Sequence, residues 1–422
     1  MPEATALPVP YADFARRQRE RLGTADDPGS VASEQLAFWR KALTGLAPGG
    51  PLLPRRPGRP AVPGRGADTV VRRLDARTHA RIADAAREQG ATLFMALHAA
   101  LATALVRAGA GEDLAVGSPI AGRGHDGTVD DVVGFFVNML VLRTDASGDP
   151  TSRQLLARIR ETALDAFAHQ DVPFEEVVDA LGPVRPPGRQ PFTEVVLALQ
   201  NNARAEVDLP GATTGVEPLR TGTARFELLV DVTDDHSPSG APDGMTLVFE
   251  YRTSCLEPEF VDGLADAVVE ALRAAAAEPD LPLSRLVLPE PSRRADPARD
   301  AVLTPAPADD GPADSSLLRE IAAVWSDVLG VERVGPHDDF FRLGGNSLRA
   351  VRVAARLTGA GRTVTAAQLF TSPTVAALAA ELERAPAEAP AAPAPIPRRP
   401  RVPRQPGRAG RTDTSQKEVP WT

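Results

Sequence analysis

The chain of 422 residues has a single cysteine, Cys255. That excludes an intrachain disulfide and any centre built from several thiolates, such as a zinc or iron–sulfur site. No run of about 18 apolar residues occurs, so no segment reads as membrane-spanning. The opening residues Met1-Pro2-Glu3-Ala4 lack the basic-then-apolar order of a secretory leader, and the cytoplasm is the expected location. Lysine is almost absent: only Lys41 and Lys417 occur, and arginine carries the remaining positive charge. A formal net charge of -9 argues against nucleic acid as a partner. No glycine-rich loop with a following lysine offers a cradle for nucleotide phosphates.

What is present divides the chain by composition. Apolar residues make up 43% and charged residues 24%, enough to bury a core. The 41 prolines are roughly twice the usual ~5% share, and they crowd into a few segments. Residues 8–288 read as one globular α/β body. Residues 289–314, from Pro289-Glu290-Pro291 through Thr304-Pro305-Ala306-Pro307, read as an extended linker. Residues 315–384 read as a compact helical unit. From Ala385 the chain turns Ala/Pro/Arg-rich, which cannot offset the entropy of ordering, so residues 385–422 read as a disordered tail.

Within the body, helix and strand patterns alternate. Ser33 precedes a helical stripe through Leu36, Trp39 and Leu43. Val70–Leu74 is a short strand. Residues 77–89 form a helix with Ile82, Ala85 and Ala86 inward and Gly90 as its stop. Residues 92–108 are apolar nearly all round, as in a buried helix. Leu114–Ile120 is a strand, and Val132–Leu142 is so continuously apolar that it reads as a strand covered on both faces. Helices follow at Ser152–Leu164 and at Phe174–Leu181, the latter ended by Gly182 and capped by Asp171. Strands are expected at Phe192–Leu199, Phe226–Val232 and Met245–Tyr251, and an amphipathic helix at Phe260–Ala277. Such alternation implies a layered α/β sheet.

The most informative segment is Asp338-Asp339-Phe340-Phe341-Arg342-Leu343-Gly344-Gly345-Asn346-Ser347-Leu348. Two glycines permit a tight loop. Ser347 then opens an apolar-periodic helix, where backbone amides and the helix dipole favour a phosphate. Taken alone, these features fit either an ordinary capped helix or a serine that receives a phosphodiester. The stretch resembles the attachment motif of peptidyl carrier proteins, the thiolation domains of nonribosomal peptide synthetases. It matches Asp-x-Phe-Phe-x-Leu-Gly-Gly-[Asp/His/Asn]-Ser-Leu at every position. The flanking stripe of Ile321, Val324, Trp325 and Leu329, and the downstream Val364, Leu369, Phe370, Val375 and Leu378, agree with a small four-helix carrier bundle. The resemblance implies that Ser347 carries a covalent 4′-phosphopantetheine whose thiol holds an aminoacyl or peptidyl thioester. A separate phosphopantetheinyl transferase would install it. Arg349, Arg352 and Arg356 lie at helical spacing behind the serine, either to meet a phosphate or partner or as a solvated face.

A second resemblance covers the body. Glu34-Gln35-Leu36-Ala37-Phe38-Trp39, the run Val133 to Arg143, His169-Gln170-Asp171-Val172-Pro173-Phe174-Glu175 and Pro191-Phe192-Thr193-Glu194-Val195 resemble, in order, motifs of a synthetase condensation domain. The resemblance begins at about the second of that family's two chloramphenicol-acetyltransferase-like lobes. The first lobe carries His-His-x-x-x-Asp-Gly. Here the histidines are His79, His98, His125, His169, His236 and His337, and no two are adjacent. His125-Asp126-Gly127 lacks the spacing and reads as a loop. The expectation is therefore a condensation half that is not catalytic alone, with no catalytic residue assigned and no metal. Asn138 interrupts an apolar run and needs hydrogen-bond partners. It is read either as lining the tunnel where two carrier arms meet or as a structural asparagine bonded to a neighbouring loop. About 25 residues separate body from carrier, far short of an adenylation domain, so loading in trans is expected.

Three functional readings follow. In the first, an assembly-line subunit of secondary metabolism such as antibiotic biosynthesis completes a split condensation site with a first lobe on another chain. In the second, a non-catalytic platform recruits tailoring enzymes to the carrier-bound substrate. In the third, the gene product is truncated.

Overall fold

The computed structural model describes residues 9–46, 53, 64–123, 129–183, 190–200, 219, 221–237, 239–289, 316–331, 333–340, 343, 347–362, 364–365, 368–369 and 372–384. The tail 385–422 and all of the linker except Pro289 lie outside them, as do His125-Asp126-Gly127 and Gly344-Gly345-Asn346.

The body is built on one mixed six-stranded sheet. Its strands are β1 (Ala67–Leu74), β2 (Asp113–Ile120), β3 (Asn138–Asp145), β4 (Val195–Gln200), β5 (Leu228–His236) and β6 (Pro242–Arg252), in the spatial order β1-β6-β5-β4-β2-β3. β2–β4 and β4–β5 pair in parallel, and the other neighbours are antiparallel. Along β5 and β6, Leu228, Val230, Val232, Met245, Leu247, Phe249 and Tyr251 alternate onto one face. Helices α3 (Ala76–Glu88), α4 (Leu93–Arg107), α5 (Ser152–Ala168) and α7 (Pro258–Ala277) cover that face. α4 is buried almost all round, because α3, α5 and α7 flank it above the sheet. α5 starts at a capping box in which Thr151 and Gln154 exchange hydrogen bonds.

A smaller core lies on the opposite face at the β2–β3 end. There α2 (Val31–Leu43) and α6 (Phe174–Leu181) pack Leu36, Trp39, Val177 and Val178 against Ala115, Leu140 and Leu142. The cap of α2 is Ser30, whose Oγ accepts from the Ser33 amide, so the helix starts before Ser33. α1 (Tyr11–Leu22), with six charged residues in twelve, buries only Leu22 fully.

Residues 316–384 form the helical unit. α8 (Ser316–Leu329) sends Leu317, Ile321, Trp325 and Leu329 inward at a spacing of four. They meet Ala350, Val353, Ala354 and Leu357 of α9 (Ser347–Gly359) and Val375, Leu378 and Ala379 of α10 (Val375–Arg384). Phe340 is fully buried edge-on to Trp325, 4.9 Å between centroids, and its amide donates to Pro373 O at 2.7 Å. The chain entering the glycine loop is thereby pinned to the bundle.

One expected element changes extent. The apolar run 132–142 is not a single covered strand: the ladder begins only at Asn138. Residues 129–137 form a loop held by side chains. The Arg123 guanidinium donates to the carbonyls of Val129, Asp130 and Val132 and lies 4.4 Å from the Phe136 ring centroid. Tyr11 Oη donates to Phe135 O at 2.9 Å.

Candidate functional site

Ser347 opens α9, a helix of thirteen residues with no acidic residue in its first turn. The first amides of a helix lack intrahelical partners and carry the positive end of its dipole. A phosphate ester attached there meets donors and no carboxylate from that turn. Of the three arginines behind the serine, Arg356 pairs with Asp327 of α8, and Arg349 reaches Asp179 of the body at 3.1 Å.

Asn138 stands at the first position of β3, and its amide is fully committed. Nδ2 donates to the carbonyls of Gln170 and Val172, each at 2.9 Å. Oδ1 accepts from the amides of Met139 and Phe174, again at 2.9 Å. The side chain thus ties the β3 edge to the start of α6 and fills the amide-cap role there. Asp171, expected as that cap, instead bonds Arg21 at 2.7 Å and Gln35 at 3.2 Å, while Gln35 Oε1 accepts from the amides of Asp171 and Val172. His169 ends α5 and stacks on Phe38 at 3.9 Å, while its carbonyl accepts from Trp39 Nε1. Arg143 meets Asp113 with two 2.8 Å hydrogen bonds and also caps the carbonyls of Ala42 and Thr44.

The same end of the sheet exposes apolar side chains. Val133, Phe135 and Val137 are 91%, 75% and 54% accessible, while the neighbouring Val132 and Phe136 turn in toward Tyr11 and Phe14. The strip falls within five consecutive residues, unlike scattered surface leucines.

Among the described residues, two further histidines share one carboxylate. His79 Nε2 and His236 Nδ1 lie 3.0 and 3.4 Å from Asp234 Oδ1, an arrangement with ligand-like spacing. The Gly244 amide, however, donates to His79 Nδ1 at 3.3 Å, which places the ring proton on Nε2, facing the carboxylate. Burial holds the His79 pKa below its ordinary value despite Asp234.

Known proteins place these features in context. Residues 2–296 match the family model described as "Condensation domain", and residues 319–382 match "Phosphopantetheine attachment site". A dimodular nonribosomal peptide synthase of Bacillus subtilis is 42% identical over 285 residues, covering 68% of this chain and 12% of that one. An isonitrile lipopeptide synthase of Mycobacterium tuberculosis is 36% identical over 405 residues, covering 94% of this chain and 16% of the other. The chain therefore spans a small part of the length of these relatives. Among solved structures, the X-domain from teicoplanin biosynthesis superposes with a TM-score of 0.62 and 32% identity over 68% of this chain and 63% of that one. The same X-domain in complex with OxyB gives 0.61 and 32%, over 68% and 62%.

Proposed function

Because the chain belongs to the condensation-domain family and carries a phosphopantetheine attachment domain, we propose that it works in nonribosomal peptide synthesis as a condensation lobe joined to its own carrier. The carrier bears a covalently attached 4′-phosphopantetheine, and we assign Ser347 as its anchor. When bound, the arm supplies a thiol on which acyl groups travel. The protein's own part is to hold the anchor at the start of α9, to offer amides to the phosphate and to keep carboxylates out of that turn.

The observation that carries this reading is the coincidence of the attachment motif with a true helix start over a closed apolar bundle. Incubation with a phosphopantetheinyl transferase and coenzyme A should add one phosphopantetheine mass to the intact protein. Ser347→Ala should gain none, and a persistent gain in that variant would reject the assignment.

The condensation lobe is proposed to supply one wall of an amide-forming site. These residues contain no adjacent histidine pair, so the paired histidines would come from a first lobe seated on the Val133–Phe135–Val137 strip. More than a third of the X-domain chain lies outside the matched region, room enough for such a lobe. Loading of the thiol falls to an adenylation domain elsewhere. A second reading has its own support: the X-domain that this lobe resembles was solved in complex with OxyB. On that reading the lobe recruits a tailoring enzyme and forms no amide. The two part on whether a supplied first lobe restores amide formation.

A further inference from the structure

Carrier and lobe present opposite charges to each other. α6 turns Val177 and Val178 inward, with Phe174, Ala180 and Leu181 packed beside them, and its three other residues are the acids Glu175, Glu176 and Asp179. α9 turns Ala350, Val353, Ala354 and Leu357 into the carrier core, which leaves Arg349, Arg352 and Arg356 away from it. Asp327 occupies Arg356 within the carrier. Arg349 instead crosses to the lobe, its Nη2 3.1 Å from Asp179 Oδ1, with the two side chains only 20% and 27% exposed. The intrahelical pair Arg16–Asp13 is 56% and 43% exposed. The crossing pair is thus partly withdrawn from solvent, where attraction is screened less than on an open surface.

A second arginine lies within electrostatic reach of the same helix. Partial desolvation lifts the Glu176 carboxyl above its ordinary range, Asp179 adds to the lift, and Arg352 opposes it. Arg349 and Arg352 are one helical turn apart, as are Glu176 and Asp179, so the two charged faces share a spacing.

We propose that α6 is the surface on which the carrier docks to its own condensation lobe, gripped by Arg349 on Asp179 with Arg352 next along α9. This deepens the reading above and rests on it only for naming Ser347 as the arm's anchor. Ser347 precedes Arg349 by two residues, about 3 Å along the helix. Docking therefore holds the anchor beside α6, whose start the bonds of Asn138 keep in place.

The near absence of lysine makes a direct test clean. In the full chain carrying Arg349→Lys, a carbodiimide activates a nearby carboxylate. The lysine amine then displaces it as the urea, leaving an amide with net loss of water. We expect a crosslinked peptide joining position 349 to Asp179, lost in Arg349→Lys/Asp179→Asn and in about 1 M salt, where the screening length is ~3 Å. The Arg352→Lys chain should report Glu176 in the same way. Reaction of position 349 with other acids while Asp179 stays unreacted, or no crosslink at either position, would overturn the docking. Phosphopantetheine mass gain is scored on the same samples. Priming without crosslinks sinks the docking alone, and crosslinks without priming sink the carrier assignment alone.

Discussion

His98 shows how one buried ring sets the acid limit of the lobe. It lies inside α4 with Nε2 3.2 Å from Thr144 Oγ1, and its Nδ1 has no hydrogen-bond partner among the described residues. Burial alone pulls its pKa from 6.5 to about 4. The folded pKa lies below the unfolded one, so protonation favours unfolding. The stabilisation is intact above about pH 6.5 and is lost as pH falls toward 4, on the order of 3 kcal/mol when fully developed. His79, also lowered by burial, adds in the same direction. Melting temperature should therefore fall between about pH 6.5 and 4. His98→Gln, which cannot titrate, should flatten that fall, and an unchanged slope would place the acid sensitivity elsewhere. A histidine in an apolar helix is readable from sequence. Its depth is not, because depth depends on α3, α5 and α7 closing over α4.

At the scale of elements, the corner between β3 and α6 depends on Asn138. Asn138→Asp would turn an acceptor toward the carbonyls of Gln170 and Val172, leaving both unpaired. A loss of roughly 3 kcal/mol is expected, with amide exchange quickened first across residues 170–181. Exchange rising equally over the whole lobe would mean that the asparagine does not hold this corner in particular. Local pattern located most elements: α3, α4, α5, α6 and α7 fall within a few residues of their periodic stretches, and β5 and β6 contain the expected cores. The misses share a cause. Asp171 has the right position for a cap, but the acceptor that serves Phe174 comes from Asn138, thirty-six residues earlier. The apolar run before β3 looks buried because only packing reveals that Arg123 and Tyr11 hold it as a loop. α1 is arginine-rich and offers too thin an apolar stripe to stand out. By contrast, the attachment motif was legible because its residues are contiguous in sequence, and the family resemblance chose between the two readings that the loop-to-helix junction left open. Asp179 was not, since its partner lies on another domain.

At the scale of the molecule, Val133, Phe135 and Val137 form an exposed apolar strip, the proposed seat of the first lobe. If Val133, Phe135 and Val137 form a lobe-to-lobe contact, the Val133→Ser/Phe135→Ser chain should be less prone to associate than the parent, because apolar exposure is reduced. It should also fail to form amide product with a supplied first lobe that works with the parent, judged by chromatographic size and product mass. Equal product from both would remove the strip from the interface.

The strand order also fixes a sequence of events. β1 forms early in the chain, yet Ala67 finds its ladder partner at Arg252 and Leu74 at Met245. On the ribosome, the first strand must wait unpaired until the last has emerged, a loop closure that slows folding. The nascent lobe therefore exposes the unpaired edge of β1 for as long as that long-range pairing stays open.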